Sequence, residues 1–219
     1  MAERTKADLA YRRIRDLILT GELAPGAVIP QRDLAASIGI STTPLREAMS
    51  RLVSEGVIEI DAHHTAKVAL LRPEEARDLL ELRRALDPLA AALAAERRSA
   101  KDVAEIRAVA KDLHALPVKA TVEELLIHRK FHETIYRASQ NELLIGVLDP
   151  LWDRADRYRL LALDTEDRGQ EARDRKDAEH ALLVEQIAAR DSEGAAQTML
   201  THIETSLALT AIKHLNTPN

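Results

Sequence analysis

Apolar residues recur at helical spacing along most of this chain. Leu9 to Leu19 reads as an amphipathic helix closed by the turn Gly21-Glu22-Leu23-Ala24-Pro25-Gly26. Asp33 to Ser37 is a second, short helix with Leu34 and Ile38 on its apolar face. Gly39 then breaks it, as a left-handed C-cap residue does. Ser41 can cap a third helix, and Pro44 fits its first turn. Leu45, Met49, Leu52 and Val53 form that helix's buried side, which leaves Arg46, Ser50 and Arg51 outward. Beyond it the period shortens. Val57 to Ile60 and Thr65 to Ala69 read as two strands around Asp61-Ala62-His63-His64. Two helices joined by a tight Gly turn, flanked by a further helix and a hairpin, predict a winged helix-turn-helix over residues 1–70.

From Pro73 onward the pattern stays helical. Pro73 suits a first helical position, with Glu74 and Glu75 at the positive helix end. Leu79, Leu82, Leu86, Leu89 and Leu93 mark a stripe on a helix to Arg98, which Pro88 should kink. A helix from about Ala100 to Leu116 stops before Pro117. Thr121 and Glu124 form a capping box for the next, to about Ser139. Another runs from Asn141 to about Leu163 with Pro150 inside. Asp164 to Asp174 reads partly as loop, a further helix reaches Arg190, and a last one runs from the Asp191-Ser192-Glu193-Gly194 break to about His214. Residues 71–219 are thus expected to be an all-α bundle of six or seven helices, the number depending on the two internal prolines. The fold class is mainly α.

Composition narrows the chemistry. Hydrophobic residues make up 46% of the chain and aromatics only 2%, so the core must be aliphatic, which suits helices. No apolar run approaches the roughly 18 residues of a membrane span, and the polar N-terminus does not read as a signal peptide. Zero Cys excludes disulfides and thiolate chemistry. A cytoplasmic protein is expected. Net charge is −5, which does not point to nucleic acid. Residues 1–70 hold nine basic and nine acidic side chains, leaving 22 against 27 in the remainder, so the excess acid lies outside the winged helix. Helix N-termini and a few Arg can grip phosphates without net positive charge.

The run LILTGELAPGAVIPQRDLAASIGISTTPLREAMSRLVSEGVIEI resembles the DNA-binding domain of GntR-type bacterial transcription regulators. The G-x-L-x-P-G turn, the L-A-x-x-I-G-I-S corner and the T-P-L-R-E-A-M helix match in register. The resemblance implies operator contacts at Arg32, Ser41, Thr42, Thr43, Pro44 and Arg46, with His63 and His64 on the wing. Two positions depart from the family pattern: Thr42 stands where Arg is usual, and His63 where the wing usually carries Gly.

Of eight histidines, four draw attention. His128 and His132 are i and i+4, so they share one helix face. His180 and His202 fall on two later helices among apolar neighbours. Imidazoles on inner faces of a bundle can converge as a metal site, or each can be an ordinary satisfied histidine. His114 and His214, near helix ends, read as solvated. F-H-E-T-I-Y-R-A-S-Q-N-E-L-L, A-E-H-A-L-L-V-E-Q-I-A-A-R-D and A-x-x-M-L-T-H-I resemble the effector-binding domain of the FadR subgroup, called FCD. In its metal-binding members the ligands are Asp, then three His. The resemblance implies His132, His180 and His202 as ligands, with His128 where Asp is usual. That change would raise a divalent site from net +1 to +2 and favour Zn, with Ni next, over Mg, Ca or Mn. His128 could also turn away and leave three ligands.

Arg83 matches an Arg that faces the effector cavity in the family; otherwise it reads as a surface residue paired with Asp87. Arg154, Arg157 and Tyr158 are further candidates to line that cavity. The resemblance implies a homodimeric regulator, most often a repressor, that reads a short inverted repeat and responds to a small carboxylate. The competing readings are a metal sensor, and a zinc hydrolase using Glu133 or Glu179 as base; a DNA-binding domain on the same chain argues against an enzyme.

Overall fold

The computed structural model describes residues 5–62, 65–117, 120–165, 169–205 and 207–216. It divides into two units, Met1–Leu71 and Arg72–Asn219, one residue beyond the boundary expected from sequence.

The first unit contains helices α1 (Lys6–Leu19), α2 (Gln31–Ile38) and α3 (Thr42–Ser54) and strands β1 (Ile58–Ile60) and β2 (Ala66–Val68). Thr5 and Asp8 form a capping box at α1, so this helix starts three residues before the apolar pattern does. Gly39 ends α2 at φ +74°, the left-handed conformation its position demanded. Ser41 occupies the cap position of α3 but makes no side-chain cap hydrogen bond. Ile14, Leu45, Leu52 and Val68 are fully buried in an aliphatic core that joins all three helices to the hairpin. The strands pair antiparallel, with Ile58 opposite Val68 and Ile60 opposite Ala66. The turn segment also joins the sheet: Gly26 N–H donates to the Val68 carbonyl at 2.8 Å and Ile29 N–H to that of Ala66 at 2.9 Å. Gly26 makes this possible at φ +81°, where an added Cβ would come within 3.1 Å of Leu70.

The second unit contains α4 (Pro73–Arg97), α5 (Ala100–Ala110), α6 (Val122–Ala138), α7 (Glu142–Thr165), α8 (Gly169–Ala189), α9 (Ser192–Glu204) and α10 (Leu207–Asn216). Helix α4 packs against all of α6 to α10. Three expectations need correction. First, of the leucine stripe on α4 only Leu79 is fully buried, and other residues make most of the face turned to its neighbours. Ala76, Leu79, Ala90, Ala91, Ala94 and Ala95 are buried with Arg83 and Asp87, whereas Leu82 and Leu89 are nearly half exposed. Small residues let five helices approach one, and leucines on that face would hold them off. Second, the seven helices among the described residues do not arise from proline breaks. Pro88 and Pro150 lie inside unbroken helices, each removing one donor from a helix held by packing. The additional helix comes from the last segment, where α9 ends at Glu204 and α10 starts at Leu207. Third, α5 stops at Ala110 rather than Leu116; of the Asp164–Asp174 stretch, residues 169–174 belong to α8 and residues 166–168 lie outside the described residues. None of the described helices is long and apolar enough to cross a membrane.

Two glycines give opposite outcomes. Gly26→Ala should destabilise the first unit by about 1–2 kcal/mol, from positive φ and the Leu70 contact. Gly146→Ala, inside α7 with nothing near its missing Cβ, should stabilise by about 0.5–1 kcal/mol. Urea unfolding of both variants checks the two signs together.

Candidate metal centre and DNA-facing surface

The His128 and His132 rings project from the buried face of α6, between Leu125 and Ile135. His180 lies on α8 with Leu183 and Val184, and His202 on α9 with Met199 and Ile203. All four histidines are at most 6% exposed. One ring nitrogen from each lies within 4.8 Å of those of the others. The sequence spacing could place only His128 beside His132; packing of α6, α8 and α9 brings in the other two.

The chemistry of this cluster is set by missing partners. His128 Nδ1 and both ring nitrogens of His132 and His180 are buried without a hydrogen-bond partner. Each such nitrogen costs about 1–3 kcal/mol. Burial depresses all four imidazole pKa values, and for His128, His132 and His180 repulsion from other rings of the cluster adds to it. His128 and His132 are driven well below the ordinary 6.5, with Arg159 the next influence on His128 and His128 itself the next on His132. His180 falls to about 2, by burial and then by repulsion from His202. His202 falls to about 4, burial outweighing a hydrogen bond to Glu179. Four neutral imidazoles with unused lone pairs are a donor set suited to a borderline-soft divalent cation such as Zn²⁺. Tetrahedral bonds of about 2.0 Å require nitrogens about 3.3 Å apart, so modest ring rotations would close the set. The residues present fit a metal.

A polar layer that sequence did not reveal lies beside the cluster. The Trp152 ring is 4.8 Å from that of His132 and 5.8 Å from that of His128, centroid to centroid. Its Nε1–H donates to the Tyr136 hydroxyl at 3.1 Å, and Tyr136 donates to Asp87 Oδ2 at 3.0 Å. The Arg83 and Arg159 guanidinium groups sit 4.4 and 4.7 Å from the Trp152 centroid. Arg83 is therefore not a surface residue; it is buried, and its Nε and Nη2 both donate to Asp87 Oδ2, at 3.1 and 2.7 Å. Burial works against its charge, but Asp87 more than offsets this and raises its pKa. Arg159 pairs with Asp156. Two of the other candidates for this cavity are engaged elsewhere. Arg154 pairs with Glu75, and the Tyr158 hydroxyl bonds Glu75 and the Arg72 backbone, at the start of α4. Arg157 is buried on α7. His114 and His214 are exposed, as their helix-end positions suggested.

In the first unit, Arg32, Thr42 and Arg46 line an open cleft of about 530 Å³ together with Ile29 and, from the base of the wing, Thr65 and Ala66. Ser41 and Thr43 are exposed at the start of α3, and Pro44 is half-buried in its first turn. His63 and His64 lie outside the described residues.

Comparison with known proteins matches both units. The profile of the bacterial regulatory proteins of the gntR family covers residues 6–68, and that of the FCD domain covers residues 78–205. The chain belongs to the GntR family, with an FCD domain as its second unit. It is a DNA-binding transcription regulator. Among its relatives, the HTH-type transcriptional regulator McbR of Escherichia coli is 28% identical over 193 residues, spanning 86% of this chain and 85% of McbR. The transcriptional repressor GlaR of the same organism is 26% identical, over 91% and 93% of the two chains. The solved structure of E. coli McbR/YncC superposes with a TM-score of 0.82 at 24% identity, covering 98% of this chain and all of that one. A GntR regulator structure from Rhodococcus superposes at 0.70 and 19% identity, over 94% and 97%. These likenesses show the fold. The GntR sequence pattern is correspondingly carried by residues that shape it: Gly26, Gly39 and the Leu45–Leu52 face.

The depressed imidazoles set the acid behaviour of the FCD unit. An unfolded histidine takes its proton near pH 6.5, whereas these resist it to about 4 and about 2. The unfolded chain therefore binds more protons as pH falls. Stability should be level above about 6.5 and decline below it, by on the order of 1 kcal/mol per histidine per pH unit, until each folded pKa is reached. Urea titrations of chelator-treated protein between pH 7.5 and 4.5 should show this decline; a level profile would mean that the rings are not buried neutral.

Proposed function

We propose that this GntR regulator is a repressor whose hold on operator DNA is set by a small carboxylate bound at a divalent metal, Zn²⁺ or else Ni²⁺, in the FCD unit. The observation that carries this reading is the set of four buried histidines, His128, His132, His180 and His202, with ligand atoms within 4.8 Å and, at the first three, ring nitrogens that lack partners. When bound, the metal supplies a Lewis-acidic centre to which a carboxylate oxygen can add. The chain's own residues do the rest. The neutral imidazoles hold the cation at neutral pH, and Trp152 and Phe131, packed against the rings, keep bulk water from them. Arg83 is the second carboxylate anchor, the incoming anion competing with Asp87 for its guanidinium. The GlaR relative, named a repressor, supports that direction of control.

On the DNA side, Arg46 and Arg32 face the cleft and reach base edges or phosphates, with Thr42, Thr43, Ser41 and the first turn of α3 gripping the backbone. Pro44 fixes that turn. The family resemblance adds His63 and His64 to the proposed DNA contacts. One recognition helix reads few base pairs, so a homodimer on a short inverted repeat is part of the proposal. The half-exposed Leu82 and Leu89 of α4 offer apolar surface for a second copy.

A second reading has its own support. Four imidazoles complete a tetrahedral shell, and a closed shell is the mark of a structural or sensing metal rather than of a ligand-accepting one. A hydrolase is disfavoured, because Glu133 is committed to Lys130 and Arg137 at the surface and Glu179 to Lys176 and His202. Titrating operator release with Zn²⁺ and Ni²⁺, with and without di- and tricarboxylates, decides between the two. Release by metal alone supports the sensor; release only with carboxylate supports the main reading.

The protein as purified should carry close to one metal per chain by elemental analysis, and His132→Ala should lose it. Absence of metal, with none taken up on addition, would refute the site. Arg46→Ala should weaken operator binding by about 1–3 kcal/mol. Thr42→Arg, restoring the family residue, should tighten it and steepen its salt dependence. Mobility-shift titrations at two salt concentrations read both.

A further inference from the structure

Of the four clustered histidines, His202 alone has a side-chain hydrogen-bond partner among the described residues. Its Nδ1 lies 2.8 Å from Glu179 Oε2. Glu179 immediately precedes His180 on α8, so its side chain leaves the same turn that delivers one cluster histidine and reaches across to another, on α9. Lys176, one turn earlier, completes the arrangement. Its Nζ donates to Glu179 Oε2 at 2.7 Å, to the His202 carbonyl at 3.0 Å and to Thr205 Oγ1 at 2.6 Å. Thr205 caps α9, and its hydroxyl also approaches Glu179 Oε1 at 3.4 Å. A lysine at the C-terminal end of α9 is favourably placed against the helix dipole.

We propose that Glu179 is the positioning residue of the metal site: it holds His202 with the proton on Nδ1, so that Nε2 is the nitrogen presented to His128, His132 and His180, while Lys176 ties Glu179 back from the cluster. This rests on the metal reading given above. The physical reason is that a carboxylate can only accept. A 2.8 Å contact to it assigns the ring proton to Nδ1 and leaves the Nε2 lone pair as the ligand atom. A hydrogen-bonded carboxylate behind a ligating imidazole also fixes the ring's rotation and raises its basicity. His132 and His180, with neither nitrogen partnered, have no such constraint of their own. His202 is thus the fixed member against which the other three close. Lys176 matters because an unneutralised Glu179 beside the cluster could swing in as an anionic ligand and change the metal preference.

The test has two arms. In the metal-free full-length protein, ¹⁵N spectra should show His202 as the Nδ1–H tautomer, and Glu179→Ala should release it into the usual mixture. In zinc competition against a chromophoric chelator, Glu179→Ala should weaken affinity by about 10–100-fold. Glu179→Gln, whose amide oxygen can still accept from Nδ1, should recover most of that loss. The metal-free melting temperatures of the variants should stay near that of the parent protein. An Nε2–H tautomer in the parent protein would overturn the proposal, as would zinc affinity within twofold of the parent in Glu179→Ala. A loss of affinity matched by an equal loss of metal-free stability would also overturn it, by making the role structural. If the parent takes up no zinc but shows the Nδ1–H tautomer dependent on Glu179, the positioning geometry stands and the metal reading is what fails.

Discussion

The helical unit is arranged around a burial that water opposes. Four imidazoles are enclosed with at least five ring nitrogens lacking partners. Nothing in an aliphatic bundle repays that cost, and a leucine at any of the four positions would fill similar space without it. The cluster therefore reads as a site held at the expense of stability. The rest of the unit supplies the rigidity such a site needs. Helices α6, α8 and α9 are each tied to α4, whose alanine face lets them come close enough for their histidines to meet. Replacing those alanines with larger residues would separate the rings before it disturbed any individual helix.

The same closeness explains the polar chain behind the cluster. With so few aromatic residues, the large buried rings are concentrated here: Phe131, Tyr136 and Trp152 lie around His132. Tyr and Trp bring donors that must be satisfied when buried, and Asp87 is the terminal acceptor. Asp87 in turn requires a cation, which Arg83 provides from one turn earlier. Side chains that looked separately like a surface ion pair and generic core are thus one connected system, extending from α4 through α6 to α7. A ligand that engaged Arg83 would disturb Asp87, Tyr136 and Trp152 in turn, and Trp152 lies against two of the four histidines.

How much of this was legible depended on whether the information was local. Gly39, the Leu45–Leu52 repeat and the hairpin signals act within a few residues, and the winged helix followed from them. The leucine repeat marked α4 as a helix but not its packed face, because in a helix surrounded by neighbours the close-packed face is the one rich in small residues. The break after Glu204 carries no Gly or Pro to mark it; Thr205, at the end of α9, is instead held by Lys176, a contact distant in sequence. The i, i+4 pair on α6 was visible, but its meeting with His180 and His202 depends on helix packing and followed only from family resemblance. Trp152, Arg159 and the Glu179–His202 bond carried no sequence signal of comparable strength.

Charge balance links the proposed metal to the proposed effector. The charged groups acting on the histidines come as pairs: Arg83 with Asp87, Arg159 with Asp156, and Lys176 with Glu179. Each pair is neutral together, and the four imidazoles are neutral as well. A divalent cation added to this setting brings two positive charges that none of these partners offsets. In a family member with Asp in place of His128, one of the two would be cancelled by the chain itself. Here neither is. Isolated charge in a low-dielectric interior is strongly unfavourable, so on this reading the site should recruit an anion more strongly than one with Asp at this position would. A monocarboxylate would leave one charge uncompensated, while a dicarboxylate that also reached Arg83 would neutralise the centre and still satisfy a guanidinium. The substitution at residue 128 thus shifts the expected ligand toward higher negative charge.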